Sequence, residues 1–282
     1  MVKKKQKKLT SNTKLRFFSI LKDTLKYYFK NIFYIFLLNI VFFALFESLI
    51  RPYYYSFIGN IFKLHSLNFN IAYYFGVCLL LYSFKMGFFN NVIYNQKSGS
   101  TGGFVESLGL GCKRFFPIML SIILFLITSA ILSLVVIGVF LFFYYFFSIY
   151  LHGFGDPNDR DGATLRILKI STSFSRSFAL VKGNLLRFMI FTGILCFAMH
   201  YLNETLLNYI DPKQIQLDHT TLEVITFSIC DFILIYTIIV FLSLAKIESD
   251  IKDEKDEVEA EERALMMQQA LENKSLATKG RW

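Results

Sequence analysis

The sequence predicts an all-α fold: a polytopic membrane protein with about six transmembrane helices and cytoplasmic interfacial amphipathic helices. Three observations lead there. Of 282 residues 54% are hydrophobic and 18% charged, with a mean hydropathy of +0.46, which argues against a soluble globule. Several apolar runs reach the roughly 18 residues or more that mark a bilayer-crossing helix. The basic residues, finally, fall almost entirely on one side of the succession of runs. Four prolines and fifteen glycines exclude a collagenous or low-complexity chain. The 33 phenylalanines carry little functional weight, since Phe, Lys, Ile, Asn and Tyr are together what an AT-rich coding bias favours.

Residues 1–30 form a basic tail and an amphipathic stretch, with ten Lys/Arg from Lys3 to Lys30 against one acid, Asp23. The apolar run behind them is too long for a signal-peptide core and has no small-residue cleavage site, so the segment reads as retained. Next to a hydrophobic helix such a tail pairs with anionic headgroups, and nucleic acid is not an expected partner. A six-span membrane domain is expected over 31–246. Its first span covers about Asn31 to Ile50 and its second about Ile71 to Tyr94, separated by a turn at Arg51 and Pro52. From Phe115 to Leu151 the chain is apolar for a length of about 55 Å as one helix, against a hydrocarbon core of roughly 30 Å. It must fold back, and the reversal is expected between Ser129 and Gly138. Further spans cover about Leu185 to Leu202 and Leu222 to Ala245. The tail over 247–282 is charged and rich in helix formers from Asp250 to Leu276. Ile251, Val258 and Leu265 recur every seven residues, but Glu254 and Glu261 occupy the alternate seam positions. That pattern argues for a solvated helix or a protein-partner contact rather than a coiled coil.

Six spans place both termini on one side. That side then holds 26 Lys/Arg, and the other holds Arg51, Lys63 and Lys213 only. The positive-inside rule makes the crowded side cytoplasmic, so the expected location is the cytoplasmic membrane, with both termini in the cytoplasm.

Two cytoplasmic segments return apolar residues at helical spacing, Gly103 to Phe116 and Leu165 to Asn184. Phe104, Leu108, Phe174, Arg176, Phe178 and Lys182 are the candidate lipid-interface residues. An offset of seventy residues matches Phe104 to Phe174, Ser107 to Ser177 and Leu110 to Leu180. With Leu15 to Lys30 as a third such stretch, the chain reads as three units of interfacial helix, outward span and inward span, or as convergent membrane composition.

The run G-G-F-V-E-S-L, the apolar hairpin carrying V-V-I-G at Val135 to Gly138, and S-R-S-F-A-L-V-K-G-N-L-L-R-F from Ser175 to Phe188 carry a family resemblance. The chain resembles, over roughly Leu15 to Ala245, the membrane domain of some bacterial glycerophosphoryl diester phosphodiesterases and the related YciC-like inner-membrane proteins. The family's R-S-w-x-L-x-K-G-N is matched by Arg176, Ser177, Phe178, Leu180, Lys182, Gly183 and Asn184, while its I-P-G lacks the proline here. The resemblance implies a bacterial inner-membrane protein. It transfers no catalytic residue, because the family's hydrolytic activity belongs to a separate barrel of about 250 residues.

Little else suggests chemistry. Asp156, Asp159 and Asp161 resemble a calcium loop, but in the register that uses Gly162 as the turn, Pro157 and Leu168 stand where carboxylates are required. Cys78, Cys112, Cys196 and Cys230 are dispersed, and His65, His152, His200 and His219 lack metal-site spacing. No catalytic residue, metal or cofactor is expected. Charge inside the bilayer is costly, which singles out Lys85 and Asp231. By helix rise they lie about 21 and 14 Å from the outer edge, close enough for a lysine stem to bridge. They form either a buried structural pair or part of an ion or proton path, or else Lys85 snorkels to the interface. Asn39, Asn203 and Glu47 could add interhelical hydrogen bonds. The expected function is non-enzymatic: organising anionic lipid or a membrane assembly through the basic amphipathic helices. The alternative is a small transporter or permease subunit using Lys85 and Asp231.

Overall fold

The computed structural model describes residues 14–45, 66–99, 103–132, 138–155, 157, 160–161, 164–165, 170–209 and 219–279. Among these the fold is helical, apart from one two-residue strand pair. The helices are α1 (Phe17–Lys30), α2 (Ile32–Leu45), α3 (Ser66–Ser98), α4 (Phe104–Leu132), α5 (Gly138–Tyr145), α6 (Ser148–Phe154), α7 (Ile170–Val181), α8 (Leu185–Tyr209) and α9 (His219–Lys279). Strands β1 (Arg160–Asp161) and β2 (Thr164–Leu165) pair antiparallel.

Each break has a local cause. At Asn31 the chain turns by 60° between α1 and α2. The Asn31 amide closes α1 on the Tyr27 and Tyr28 carbonyls while its own carbonyl accepts from Ile35 N–H in α2. Asparagine suits such a boundary because its side chain can satisfy backbone groups that a helix end leaves unpaired. Asn184 repeats the device between α7 and α8: its N–H reaches the Val181 carbonyl and its carbonyl accepts from Phe188. The preceding Gly183 has φ +90, a conformation that side chains with a Cβ disfavour. The expected amphipathic segment from Gly103 to Phe116 has no such break. It is the first part of α4, which continues past Pro117 through Leu132.

The buried centre is the middle of α9, where every residue from Asp231 to Ala245 except Ile233 and Ser243 is buried. A helix buried all round belongs inside a bundle. Helices α1, α2, α3, α7 and α8 pack on it. Phe147 lies between Phe188 and Phe241, with ring centroids 5.0 and 5.7 Å away, and Tyr150 stacks on Phe241 at 5.2 Å. The Tyr150 and Thr237 hydroxyls bond at 2.5 Å. Conversely, Phe33, Ile40, Leu126, Ile131, Ile190, Ile194 and Phe197 are exposed, as ridges facing lipid would be.

The expectation of six spans is met in part. Three described helices are long and apolar enough to cross a membrane, over Phe104–Ile131, Leu185–Leu202 and Val224–Gln269, or four if the bent pair α1 and α2 counts as one. The 37-residue run does reverse: Phe125 in α4 meets Phe142 and Phe146 on the returning segment. That return is shorter than expected, an apolar stretch over Phe140–Phe154 interrupted at Phe146 and Phe147. The second expected span lies within α3. Outside the described residues lie the tail before Lys14, Glu47, the turn at Arg51 and Pro52, the reversal at Val135 to Ile137, Asp156 and Asp159, and the loop holding Lys213; so do residues 166–169 of the second amphipathic segment and the side chain of Asn203.

Helices α3 and α4 share the most extensive interface, and it depends on two glycines. A Cβ on Gly87 would stand 2.9 Å from the Gly111 Cα, closer than real side chains approach. Small residues allow such approach between membrane helices. Gly87→Val should therefore force α3 from α4 and lose about 1–3 kcal/mol of stability. Thermal unfolding in detergent would measure this, with Gly109→Val, where a Cβ meets nothing within 4 Å, as the neutral control.

Candidate functional site

Lys85 on α3 and Asp231 on α9 are brought together in the interior. The Lys85 ammonium donates to Asp231 Oδ1 at 2.9 Å and Oδ2 at 2.7 Å, and both side chains are 0% exposed. From α2, Asn39 Nδ2 donates to Asp231 Oδ2 at 3.0 Å and to Ser228 Oγ at 2.9 Å. Ser228 Oγ donates to the Val224 carbonyl, and the Ser228 carbonyl accepts from the Tyr28 hydroxyl at 3.0 Å. The rings of Tyr82 and Phe227 flank the ammonium at 5.5 and 6.0 Å, within reach of their π faces.

This network joins α1, α2, α3 and α9 through side chains that each satisfy another. Asp231 accepts from two donors, which is what a carboxylate needs to stay in a desolvated place. One atom stands apart: Asn39 Oδ1 is buried without a hydrogen-bond partner. Of these residues the sequence picks out Lys85 and Asp231 by their charge and Asn39 by its amide. Ser228 and Tyr28 escape notice, although Ser228 stands three residues before Asp231 and therefore on the same helix face.

The six interface candidates are placed less uniformly. Phe104 stacks on Tyr34 at 4.9 Å and meets Phe88 edge-on, and Leu108 packs on the main hydrophobic core. Phe174 meets Tyr145 edge-on, while Phe178 stacks on Tyr144 at 4.5 Å and keeps part of its surface exposed. Arg176 makes a two-bond ion pair with Glu248 on α9. Lys182 is exposed. The hydroxyls matched by the seventy-residue offset are both buried. Ser107 accepts from Asn91 at 3.0 Å, and Ser177 donates to the Tyr144 carbonyl at 2.6 Å.

Helix α1 carries an exposed apolar stripe interleaved with lysines. Ile20, Thr24 and Tyr27 face the bundle, whereas Phe18 (83% exposed), Leu25 and Phe29 (62% exposed) lie on the opposite face among exposed Lys22, Lys26 and Lys30. Positions 18, 22, 25 and 29 follow helical spacing, so apolar and basic groups share one surface.

Cys112 and Cys196 are exposed and Cys230 is half-buried, all as free thiols. Among the described residues no three His, Cys, Asp or Glu side chains are grouped to hold a metal ion. Compared with known proteins, the chain matches no family model, no curated protein and no solved structure.

Proposed function

We propose that this is a non-enzymatic integral membrane protein of the cytoplasmic membrane that organises anionic lipid, or an assembly on it, through basic amphipathic helices. The observation that carries the reading is the outer face of α1, where Phe18, Leu25 and Phe29 project beside Lys22, Lys26 and Lys30. If α2 runs near the bilayer normal, the 60° bend lays α1 obliquely along the interface. There apolar side chains insert and lysines meet headgroups, at about 1 kcal/mol per basic residue near the surface. The reading includes six spans with both termini cytoplasmic, supported by the distribution of Lys and Arg, and the similarity to the phosphodiesterase membrane domain, supported by its motifs alone.

The alternative, a small permease using Lys85 and Asp231, needs water at the pair. The described side chains around it include Asn39, Ser228, Tyr82 and Phe227, and the pair itself has no exposed surface, which favours a structural role.

The test uses the whole protein reconstituted in vesicles. Phe18→Ser with Phe29→Ser should leave insertion intact, since the hydropathy of the spans governs it. The double variant should lose the wild-type enrichment of anionic lipid around the protein, read with a spin-labelled or fluorescent phosphatidylglycerol. Enrichment should also fall in high salt, because the screening length is about 10 Å at roughly 0.1 M. An unchanged enrichment in the variant would remove the support for α1 as the lipid-contacting element.

A further inference from the structure

At the end of α7 the chain builds a groove of about 320 Å³ between the turn at Lys182 and Gly183, the residue Lys14, and the α9 side chains Leu244, Ile247 and Ile251. Contacts far apart in sequence hold it in shape. Leu15 N–H donates to Asn184 Oδ1 at 2.9 Å, and Arg187 donates to the Leu15 carbonyl at 2.9 Å. With the Leu15 side chain buried, this clamp fixes the backbone of Lys14 beside the Gly183 turn. Lys14 and Lys182 therefore both line this groove.

The groove also contains Glu248, whose carboxylate is held by the Arg176 guanidinium. Among the described residues neither Lys14 nor Lys182 has an acidic partner, so the rim keeps positive charge over a largely aliphatic floor. The groove lies where the buried run of α9 ends at Ala245 and the charge-rich part of the helix begins with Lys246. On a helix that crosses the bilayer, this is the level at which hydrocarbon gives way to headgroups. Basic pockets between membrane helices at that level suit anionic headgroups.

We infer that this groove is a site for an anionic phospholipid, with the headgroup phosphate between Lys14 and Lys182 and the acyl chains leaving along Leu244. The inference rests on the lipid-organising reading above, to which it adds one defined site and its ligand class. It also gives a role to the L-V-K-G-N run beyond ending a helix: past the left-handed glycine Asn184 holds the N-terminal segment, and Lys182 lines the groove beside it.

The experiment is native mass spectrometry of the full-length protein in mild detergent, titrated with phosphatidylglycerol, with phosphatidylcholine of the same chains, and with glycerol phosphate. Phosphatidylglycerol should give one tightest-bound lipid. Its affinity should fall about five-fold in Lys14→Gln or Lys182→Gln and about thirty-fold in the double variant. Ala179→Trp, which fills the groove from an exposed position and removes no charge, should also weaken binding. Lys252→Gln with Lys255→Gln should not. Melting temperatures measured alongside would exclude variants that fail to fold. If wild type prefers phosphatidylglycerol while the groove variants retain it, the site is wrong and the broader reading stands. Equal binding of both lipids by wild type would overturn both. Glycerol phosphate binding as tightly as the lipid would make the ligand a soluble phosphate ester.

Discussion

Lys85→Met should lower stability in detergent by about 3–5 kcal/mol, and Asp231→Leu by a similar amount, because each leaves a buried charge without its partner. The double variant should regain much of that loss, since an apolar pair of similar volume avoids both desolvation costs. Recovery should be incomplete for a reason visible in the site. Asn39 Nδ2 bonds both Asp231 and Ser228, so the double variant strips one acceptor from an amide whose Oδ1 already lacks a partner. A buried polar group left unsatisfied costs about 1–3 kcal/mol. Adding Asn39→Leu should return part of the remainder. Thermal or denaturant unfolding of the four proteins measures the cycle. Strictly additive losses would mean the pair is not coupled in the folded state. Unchanged stability accompanied by lost solute flux in proteoliposomes would move the site to the permease reading.

The two charges were legible in the sequence because a charge inside an apolar run is rare and must be answered, and because counting helix rise put both at compatible depths. Asn39 was legible as an amide in an apolar span, but Ser228 and Tyr28 were not. Serines and threonines on helices commonly bond their own preceding turn, as Thr24 does to Ile20 and Ser243 to Ile239. Nothing in the local pattern marks Ser228 as the one that also meets Asn39. The clamp between Leu15 and Asn184 spans 169 positions and uses a backbone amide, which leaves no trace in residue type. Helix boundaries divide similarly. The breaks at Asn31 and Asn184 coincide with a change from amphipathic to wholly apolar pattern and carry a residue suited to capping. The end of the amphipathic segment at Phe116 shows the same change in pattern, yet α4 runs through Pro117. Pro117 removes one hydrogen bond of the ladder, but no Asn or left-handed Gly follows to cap an end, and the helix continues through it.

Amphipathicity itself was ambiguous in a way that bears on function. Phe104 and Phe174 stand at matching positions of two periodic segments, and a periodic apolar face says only that something apolar covers it. In the structure that cover is Tyr34 and Phe88 for the first and Tyr145 for the second. On α1, as on α4 with exposed Val105 and Phe116, the helix has a second apolar face that the bundle does not cover. What sets Phe18 and Phe29 apart is that exposed Lys22, Lys26 and Lys30 lie beside them.

A cysteine introduced at Gln214 should react with an impermeant thiol reagent in intact cells, and one at Asn273 only after the cells are opened. The difference is expected to be nearly all-or-none. The background should lack Cys78, Cys112, Cys196 and Cys230. The argument begins with α9, an unbroken helix from His219 to Lys279. Its 61 residues extend about 90 Å at 1.5 Å each, three times the roughly 30 Å hydrocarbon core, so most of it must leave the bilayer once Val224 to Ala245 has crossed. The emerging part holds ten acids and seven bases from Lys246 onward, with exposed side chains along its described length beyond Ile251, and it has no apolar stretch that could return. Gln214 precedes the crossing and Asn273 follows it. The excess of Lys and Arg on the Asn273 side is the ground for expecting that side to face the cytoplasm. Labelling of both positions from outside would show that α9 does not cross and would remove the six-span arrangement. Labelling of Asn273 alone would keep the crossing and invert the orientation, placing the lysines of α1 on the outer leaflet.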